Sequence, residues 1–254
     1  MNLYPYGLKI NPFPSSPTPS YADSQILGGR IHSEAREAIV SCISDLYSKL
    51  DGKKPTDRDF RLITVIQDVG SGKTHLAYHI KGLPDIINNT VTSYIDLAQV
   101  SPRDIHNIYD SILGGFSAND IESLRRNLLY FMCNKVNHSG KYVRKAFNCG
   151  ILDSLSGNKS LNRKVEDILK GEQKLNFQYA PELLCSDFSE IQIDIIRSLI
   201  EDRLKSDVSK IRSLEGVINS LSSITDMNLK LLKKLTIFEF DEFDSKKESL
   251  DFIK

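Results

Sequence analysis

The sequence predicts an α/β fold in which a parallel sheet is interrupted by a large all-helical insertion. Short apolar, β-branched runs alternate with helical patterns over the first part of the chain, as is typical of parallel sheets. No proline occurs between Pro102 and Pro181, and apolar residues recur at helical spacing over most of 117–234. A further apolar run at 235–240 follows this helical block and is predicted to return to the sheet.

Composition excludes several classes of protein. The 254 residues include 33 basic and 33 acidic side chains, so overall charge gives no argument for a nucleic-acid partner. No apolar stretch approaches the length of a membrane span, and the first residues do not have the pattern of a signal peptide. The four cysteines are scattered without a CxxC motif, which predicts reduced thiols in a cytoplasmic protein. We expect no membrane partner.

The first half of the chain predicts these elements in order. The first 19 residues are expected to form an extended arm, because they contain five of the nine prolines. Ser33 is the predicted N-cap of the first helix. The run 61–67 (RLITVIQ) is typical of a buried strand, and a glycine-rich turn leads from it into a helix over 73–80.

A second strand is predicted over 91–97 (VTSYIDL) and a helix over 102–113. Gly171 is the predicted stop of one helix in the block that follows. The last strand is predicted over 235–240 (LTIFEF). The predicted domains are an arm with an entry segment (1–32), the first part of the core (33–116), the helical insertion (117–234) and the last strand with the tail (235–254).

The segment Gln67–Thr74 (QDVGSGKT) carries the most specific signal. It matches the P-loop pattern GxxxxGK[ST] except at its first position, where glutamine replaces glycine. Its glycines let backbone N–H groups turn inward around phosphate oxygens, and a helix beginning at Lys73 adds its positive end. The lysine can reach the β- and γ-phosphates, and the Thr74 hydroxyl can coordinate Mg²⁺. The alternative is a glycine-rich turn with a surface lysine. The candidate nucleotide-binding residues in this segment are Gly70, Ser71, Gly72, Lys73, Thr74 and His75.

The run Ile237–Glu242 (IFEFDE) carries the second half of the predicted site. A parallel strand delivers its last residues to the sheet edge where ligands bind. Asp241 is therefore predicted to hold Mg²⁺ opposite Thr74, and Glu242 to orient or deprotonate the attacking water. An ordinary acidic turn after a strand is the alternative. The two segments together predict that ATP and Mg²⁺ bind.

GSGKTHLA and FEFDEFDS resemble the Walker A and Walker B pair of the AAA+ ATPases. The closest resemblance is to the initiator type (origin-recognition and cell-division-control proteins) and to related archaeal ATPases. The segment ILGGR, which ends at Arg30, resembles the entry segment that lies near the adenine in that family. The resemblance covers about 26–116 and 235–245. It implies an ATPase core in which Arg30 contacts nucleotide and Lys73 and Glu242 are catalytic.

Two departures from the family pattern shape the functional hypotheses. The two motifs are separated by the long helical block, and the chain stops soon after Asp241, before the family's sensor strand, arginine finger and lid. We therefore expect a truncated ATPase that couples nucleotide state to DNA or a protein partner, within a homo-oligomer or larger complex, and whose own hydrolysis of ATP is slow without parts supplied elsewhere. The alternatives are a nucleotide-gated interaction module with little hydrolysis and a small-molecule P-loop kinase.

The balanced net charge conceals a basic block, Arg125–Lys170. Ten lysines and arginines in this window face only three carboxylates, and Tyr142 and Phe147 lie among them. Such a block can bind the phosphate backbone of DNA. A solvated helical face, or a docking surface for the acidic remainder of the chain, explains it equally well.

Overall fold

The computed structural model divides the chain into two compact units, 1–90 and 91–254. The residues that the structure describes are 30–50, 61–66, 71–150, 158–204, 207 and 213–242. The predicted arm, most of the entry segment and the tail after Glu242 therefore lie outside the described residues. The domain boundaries proposed at 116 and 234 remain predictions.

The described residues of the first unit form three helices: α1 (Arg30–Leu50), α2 (Lys73–Lys81) and α3 (Pro84–Asn89). Its core is formed by the buried side chains of Leu76, Ile80 and Ile86, against which apolar residues of α1 pack. The predicted helix over 73–80 is confirmed, with one further residue at its end.

The N-cap prediction at Ser33 is wrong, because α1 already begins at Arg30 and includes that serine. The helix-breaking pair Gly28–Gly29 directly precedes Arg30 in the sequence. No proline or glycine lies between Arg30 and Ser33, so no residue in this turn disfavours a helix that begins at Arg30.

The strand predicted over 61–67 is not found in its described part, 61–66, which has no regular secondary structure. Leu62 and Ile66 are 76% and 87% exposed, whereas a buried strand was predicted. Apolar and β-branched composition favours a strand only where a neighbouring strand and a covering layer remove it from water. The composition of a segment does not show whether a partner strand exists. Within the described residues, no strand pairs with 61–66.

Within the described residues, β1 (Thr90–Asp96) and β2 (Leu235–Asp241) form a two-stranded parallel sheet, which lies in the second unit except for Thr90. The N–H of Leu97 donates to the carbonyl oxygen of Asp241 at 3.1 Å, which fixes the register at the carboxyl ends. Both strands were predicted within one residue, so the mixed α/β class and the return of the chain to the sheet are confirmed. Because parallel strands need a crossover, the helices between them form one long connection.

Serine and aspartate side chains begin several helices of this connection. Asp104 accepts hydrogen bonds from the first amides of α4, which moves its start from the predicted residue 102 to Ile105. Gly171, at φ 77°, follows the end of α7 as predicted. The helices whose bounds lie within the described residues are α4 (Ile105–Gly115), α5 (Ala118–Cys133), α6 (Val136–Ala146, kinked at Ser139), α7 (Asn158–Leu169), α8 (Pro181–Leu184), α9 (Glu190–Ile200) and α10 (Leu214–Met227), with a 3-10 turn at Phe177–Tyr179 and a π-helical turn at Asn228–Leu232.

One hydrophobic core joins the sheet to these helices. Ile95 of β1, Leu128 of α5, Ile196 of α9 and Met227 of α10 belong to the same buried cluster and are each at most 1% exposed. The helical block therefore packs on the sheet and shares its core. Among the described helices, none combines the length and the apolar composition that a bilayer crossing requires.

Candidate functional site

The amino end of α2 is formed by a left-handed glycine at the position where the sequence predicts a phosphate-binding turn. Gly72 is the N-cap residue at φ 90° and ψ 24°, a left-handed conformation that favours glycine, and its carbonyl accepts the N–H of Leu76 at 2.9 Å. A helix provides no intrahelical acceptor for its first amides, which here belong to Lys73, Thr74 and His75. Together with the macrodipole, these amides make the turn suitable for an anion.

A histidine packs directly on this turn. A Cβ atom built on Gly72 would lie 3.0 Å from Cε1 and 3.5 Å from Nε2 of His32, which belongs to the first turn of α1. Glycine is therefore required at position 72 for two reasons: its backbone angle and the close approach of this imidazole. His32 was not singled out from the sequence, because the contact joins two helices that are far apart along the chain.

Ser71 supplies an independent sign that a polar ligand fits this turn. Its Oγ atom is buried and has no hydrogen-bond partner among the residues that the structure describes. A buried hydroxyl without a partner is costly, and in native proteins it calls for an explanation such as a ligand. A phosphate oxygen would accept a hydrogen bond from this hydroxyl, so the residues present at the turn fit a phosphate.

The other predicted nucleotide-binding residues are described only in part. Arg30 is the first residue of α1, and its side chain is not described. Gly70 and Gln67 lie outside the described residues. The structure therefore brings together Ser71 and the first turn of α2, and it leaves the contribution of Gly70 and Arg30 as predictions.

Asp241 is the last residue of β2. Both oxygen atoms of its side chain accept hydrogen bonds. The phenolic hydroxyl of Tyr94, on β1, donates a hydrogen bond to Oδ2 at 3.1 Å. The backbone N–H of Glu242 donates to Oδ1 at 2.9 Å. Two donors, one on β1 and one in the residue that follows β2, fix the orientation of the carboxylate at the carboxyl edge of the sheet.

The backbone turns sharply directly after this carboxylate. Glu242 adopts φ 58°, which is uncommon for a residue with a side chain, and it is exposed. Arg103 bridges the two chain segments at this edge: its Nε donates to the carbonyl of Leu97 at 2.8 Å and its Nη2 to the carbonyl of Glu242 at 3.3 Å. Asp241 and Glu242 therefore lie together on an edge braced by an arginine.

Within the described residues, no group of three or more His, Cys, Asp and Glu side chains is arranged to hold a metal ion by protein ligands alone. The predicted Mg²⁺ site is of a different type, in which one hydroxyl and one carboxylate act together with phosphate oxygens. Hard cations such as Mg²⁺ prefer oxygen ligands and are commonly held by one or two carboxylates plus substrate phosphates. The Thr74 hydroxyl and the Asp241 carboxylate are each an oxygen ligand of this kind, and their sharing of one ion remains a prediction. Thr74 belongs to the first unit and Asp241 to the second.

Sequence reasoning missed Tyr94 and Arg103. Tyr94 lies within the predicted second strand, and residues at alternating positions of a strand share a face. The residue that faces Asp241 could not be read from that alternation, because the register between β1 and β2 is set by non-local pairing. Comparison of the chain with protein-family models, with curated proteins and with solved structures yields no match.

Proposed function

We propose that this chain is an AAA+-like P-loop ATPase that binds Mg²⁺·ATP and couples its nucleotide state to binding of DNA or a protein partner. The observation that supports this most is the turn before α2. There a left-handed glycine, a buried serine hydroxyl without a described partner and the amino end of a helix occur in consecutive residues. This arrangement matches the chemical needs of a triphosphate.

Each residue has a defined part in the proposed reaction. Amides of the first turn of α2 and the hydroxyl of Ser71 bind phosphate oxygens, and the Lys73 ammonium offsets charge on the β- and γ-phosphates. Magnesium, when bound, neutralises charge that develops on the transferred phosphoryl group. Thr74 and Asp241 are its protein ligands in this proposal. Glu242 orients the attacking water and accepts its proton.

Two other functions use the same residues. A nucleotide-gated interaction module would bind Mg²⁺·ATP tightly but turn it over slowly, and brisk hydrolysis by the purified chain would exclude it. A small-molecule P-loop kinase would transfer phosphate to a metabolite. We rank the kinase lowest, because an exposed carboxylate next to the Asp241 position suits activation of water better than capture of a metabolite.

Glu242→Gln tests the hydrolytic assignment. We expect steady-state release of phosphate from ATP to fall about 100-fold, because a general base contributes roughly 10²–10⁴-fold to such reactions. Calorimetric affinity for Mg²⁺·ATP is expected to change less than about threefold, since the amide form is isosteric and is not assigned a binding role.

Glu239→Gln is the matched control, because it makes the same chemical change within β2 but away from the edge. It is expected to retain wild-type turnover. If both variants keep the wild-type rate, Glu242 is not the base. If the wild-type chain does not bind Mg²⁺·ATP at all, the proposed function itself is wrong.

A further inference from the structure

Part of the basic block Arg125–Lys170 is engaged in contacts within the protein. The guanidinium of Arg125 donates a hydrogen bond to the carbonyl oxygen of Ile200 at 2.8 Å. The guanidinium of Arg126 donates to the carboxylate of Glu166, and this hydrogen bond raises the pKa of Arg126. Both arginines therefore serve the packing of α5 on its neighbours α9 and α7.

Lys135 is engaged in the same way. Its ammonium group forms an ion pair with the carboxylate of Asp187, which also lies 3.5 Å from Nζ of Lys230. Burial raises the pKa of Asp187, but hydrogen bonds from Lys135 and Ser186 outweigh burial and hold that pKa below its ordinary value. Asp187 therefore stays ionised. It engages the Lys135 ammonium group, which is directed away from any external partner.

Three basic side chains on α6 face solvent instead. Lys141, Arg144 and Lys145 are exposed, and their spacing places them on neighbouring positions of one helix face. None of the three forms an ion pair with a residue that the structure describes. The opposite face of the helix is fixed in the core by Val143 and Ala146, which are fully buried.

The sequence around α6 contributes no acidic residue. From Ser123 to Leu152 the chain has six basic residues and no aspartate or glutamate. At physiological salt, two charges separated by more than about 8 Å are largely screened from each other. The charges close to a surface therefore determine what that surface attracts. A helix face that carries three exposed cations is complementary to a polyanion.

An exposed aromatic ring lies beside these cations. Tyr142 follows Lys141 and is 37% exposed, whereas most large apolar side chains of this unit are buried. Nζ of Lys145 lies 4.9 Å from the centroid of a second aromatic ring, that of Tyr179. Proteins that bind single strands without sequence preference combine cations that track the phosphates with aromatic rings on which bases stack.

We propose that the exposed face of α6 binds single-stranded DNA, with phosphates on Lys141, Arg144 and Lys145 and a base stacked on Tyr142. This inference rests on the proposed function only in that DNA is named there as a partner. The contact itself requires no nucleotide. It therefore persists in Lys73→Ala, and this separates its failure from failure of the ATP site.

The test uses fluorescence anisotropy of a labelled oligothymidylate of about 20 nucleotides, titrated with the whole chain. The triple variant K141Q/R144Q/K145Q is expected to bind at least about tenfold more weakly at low salt. The slope of log affinity against log salt is expected to fall by about 2, since each single-strand phosphate contact contributes about 0.7. Tyr142→Ala is expected to weaken binding about tenfold, and Tyr142→Phe to retain it.

The matched control, R163Q/K170Q/K233Q, removes the same charge from exposed residues outside α6, two of them from the same block. It is expected to change affinity less than about twofold. Equal losses in both triple variants, or preferential binding to a duplex that Tyr142→Ala does not weaken, would overturn the proposal. Arg144 and Lys145 also favour the carboxyl end of α6 electrostatically, so K141R/K145R, which keeps the charge, is expected to bind as the wild type does.

Discussion

Gly115→Ala is expected to destabilise the protein by about 3 kcal/mol, the upper end of the usual cost of overpacking. A Cβ atom at this position would lie 2.5 Å from the Ser93 hydroxyl and 2.5 Å from the carbonyl oxygen of Tyr94. The obstruction on the Tyr94 side is strand backbone, which cannot rotate away. The Ser93 hydroxyl is buried and already donates to the carbonyl of Ile112 at 2.6 Å.

Gly114→Ala, one residue earlier in the same helix, is the matched control. A Cβ atom there meets nothing within 4 Å, and the residue is exposed. Alanine is favoured over glycine in a helix, so this variant is expected to be as stable as the wild type or up to about 1 kcal/mol more stable. Urea unfolding followed by circular dichroism measures both. Equal free energies of unfolding for the two variants would contradict the close packing of α4 on β1.

Lys73→Ala is expected to weaken ATP binding about 100-fold, which corresponds to about 3 kcal/mol. Hydrogen bonds to charged groups contribute about 1.5–3 kcal/mol, and an ammonium facing a triphosphate is at the upper end. The fold is expected to persist, because a cation at the amino end of a helix is not favoured by the macrodipole.

Lys81→Ala removes the same charge from the other end of α2 and serves as the control. It is expected to bind ATP within about twofold of the wild type. Isothermal titration calorimetry measures the affinities, and thermal unfolding monitors the fold. If Lys73→Ala binds ATP as tightly as Lys81→Ala does, the phosphate-binding turn is wrongly assigned.

Local patterns were sufficient for the elements that carry the candidate site. A glycine-rich turn after an apolar run predicted the start of α2 at Lys73, and an apolar run before two acidic residues predicted β2. Both signals depend on neighbours in sequence, and both were confirmed as secondary structure. The coarse α/β class followed from the order of these elements.

Non-local contacts could not be predicted in the same way. The Tyr94–Asp241 hydrogen bond depends on strand register, and the packing of His32 on Gly72 depends on how two helices meet. The division of the basic block also escaped sequence reasoning, because the carboxylates that engage Arg126 and Lys135 lie far along the chain. The strand prediction over 61–67 was wrong for the same reason, because a strand forms only when a neighbouring strand pairs with it.

In the proposed site, Thr74 and Asp241 hold one magnesium ion on one triphosphate. A double-mutant cycle of Thr74→Ala and Asp241→Asn, with ATP affinity measured by calorimetry with and without Mg²⁺, tests it most directly. We expect each single variant to lose most of the gain in affinity that Mg²⁺ provides, and the double variant to lose little more, with a coupling energy above about 1 kcal/mol. Losses that simply add, or a gain from Mg²⁺ that survives in either variant, would show that the two residues do not share a metal ion.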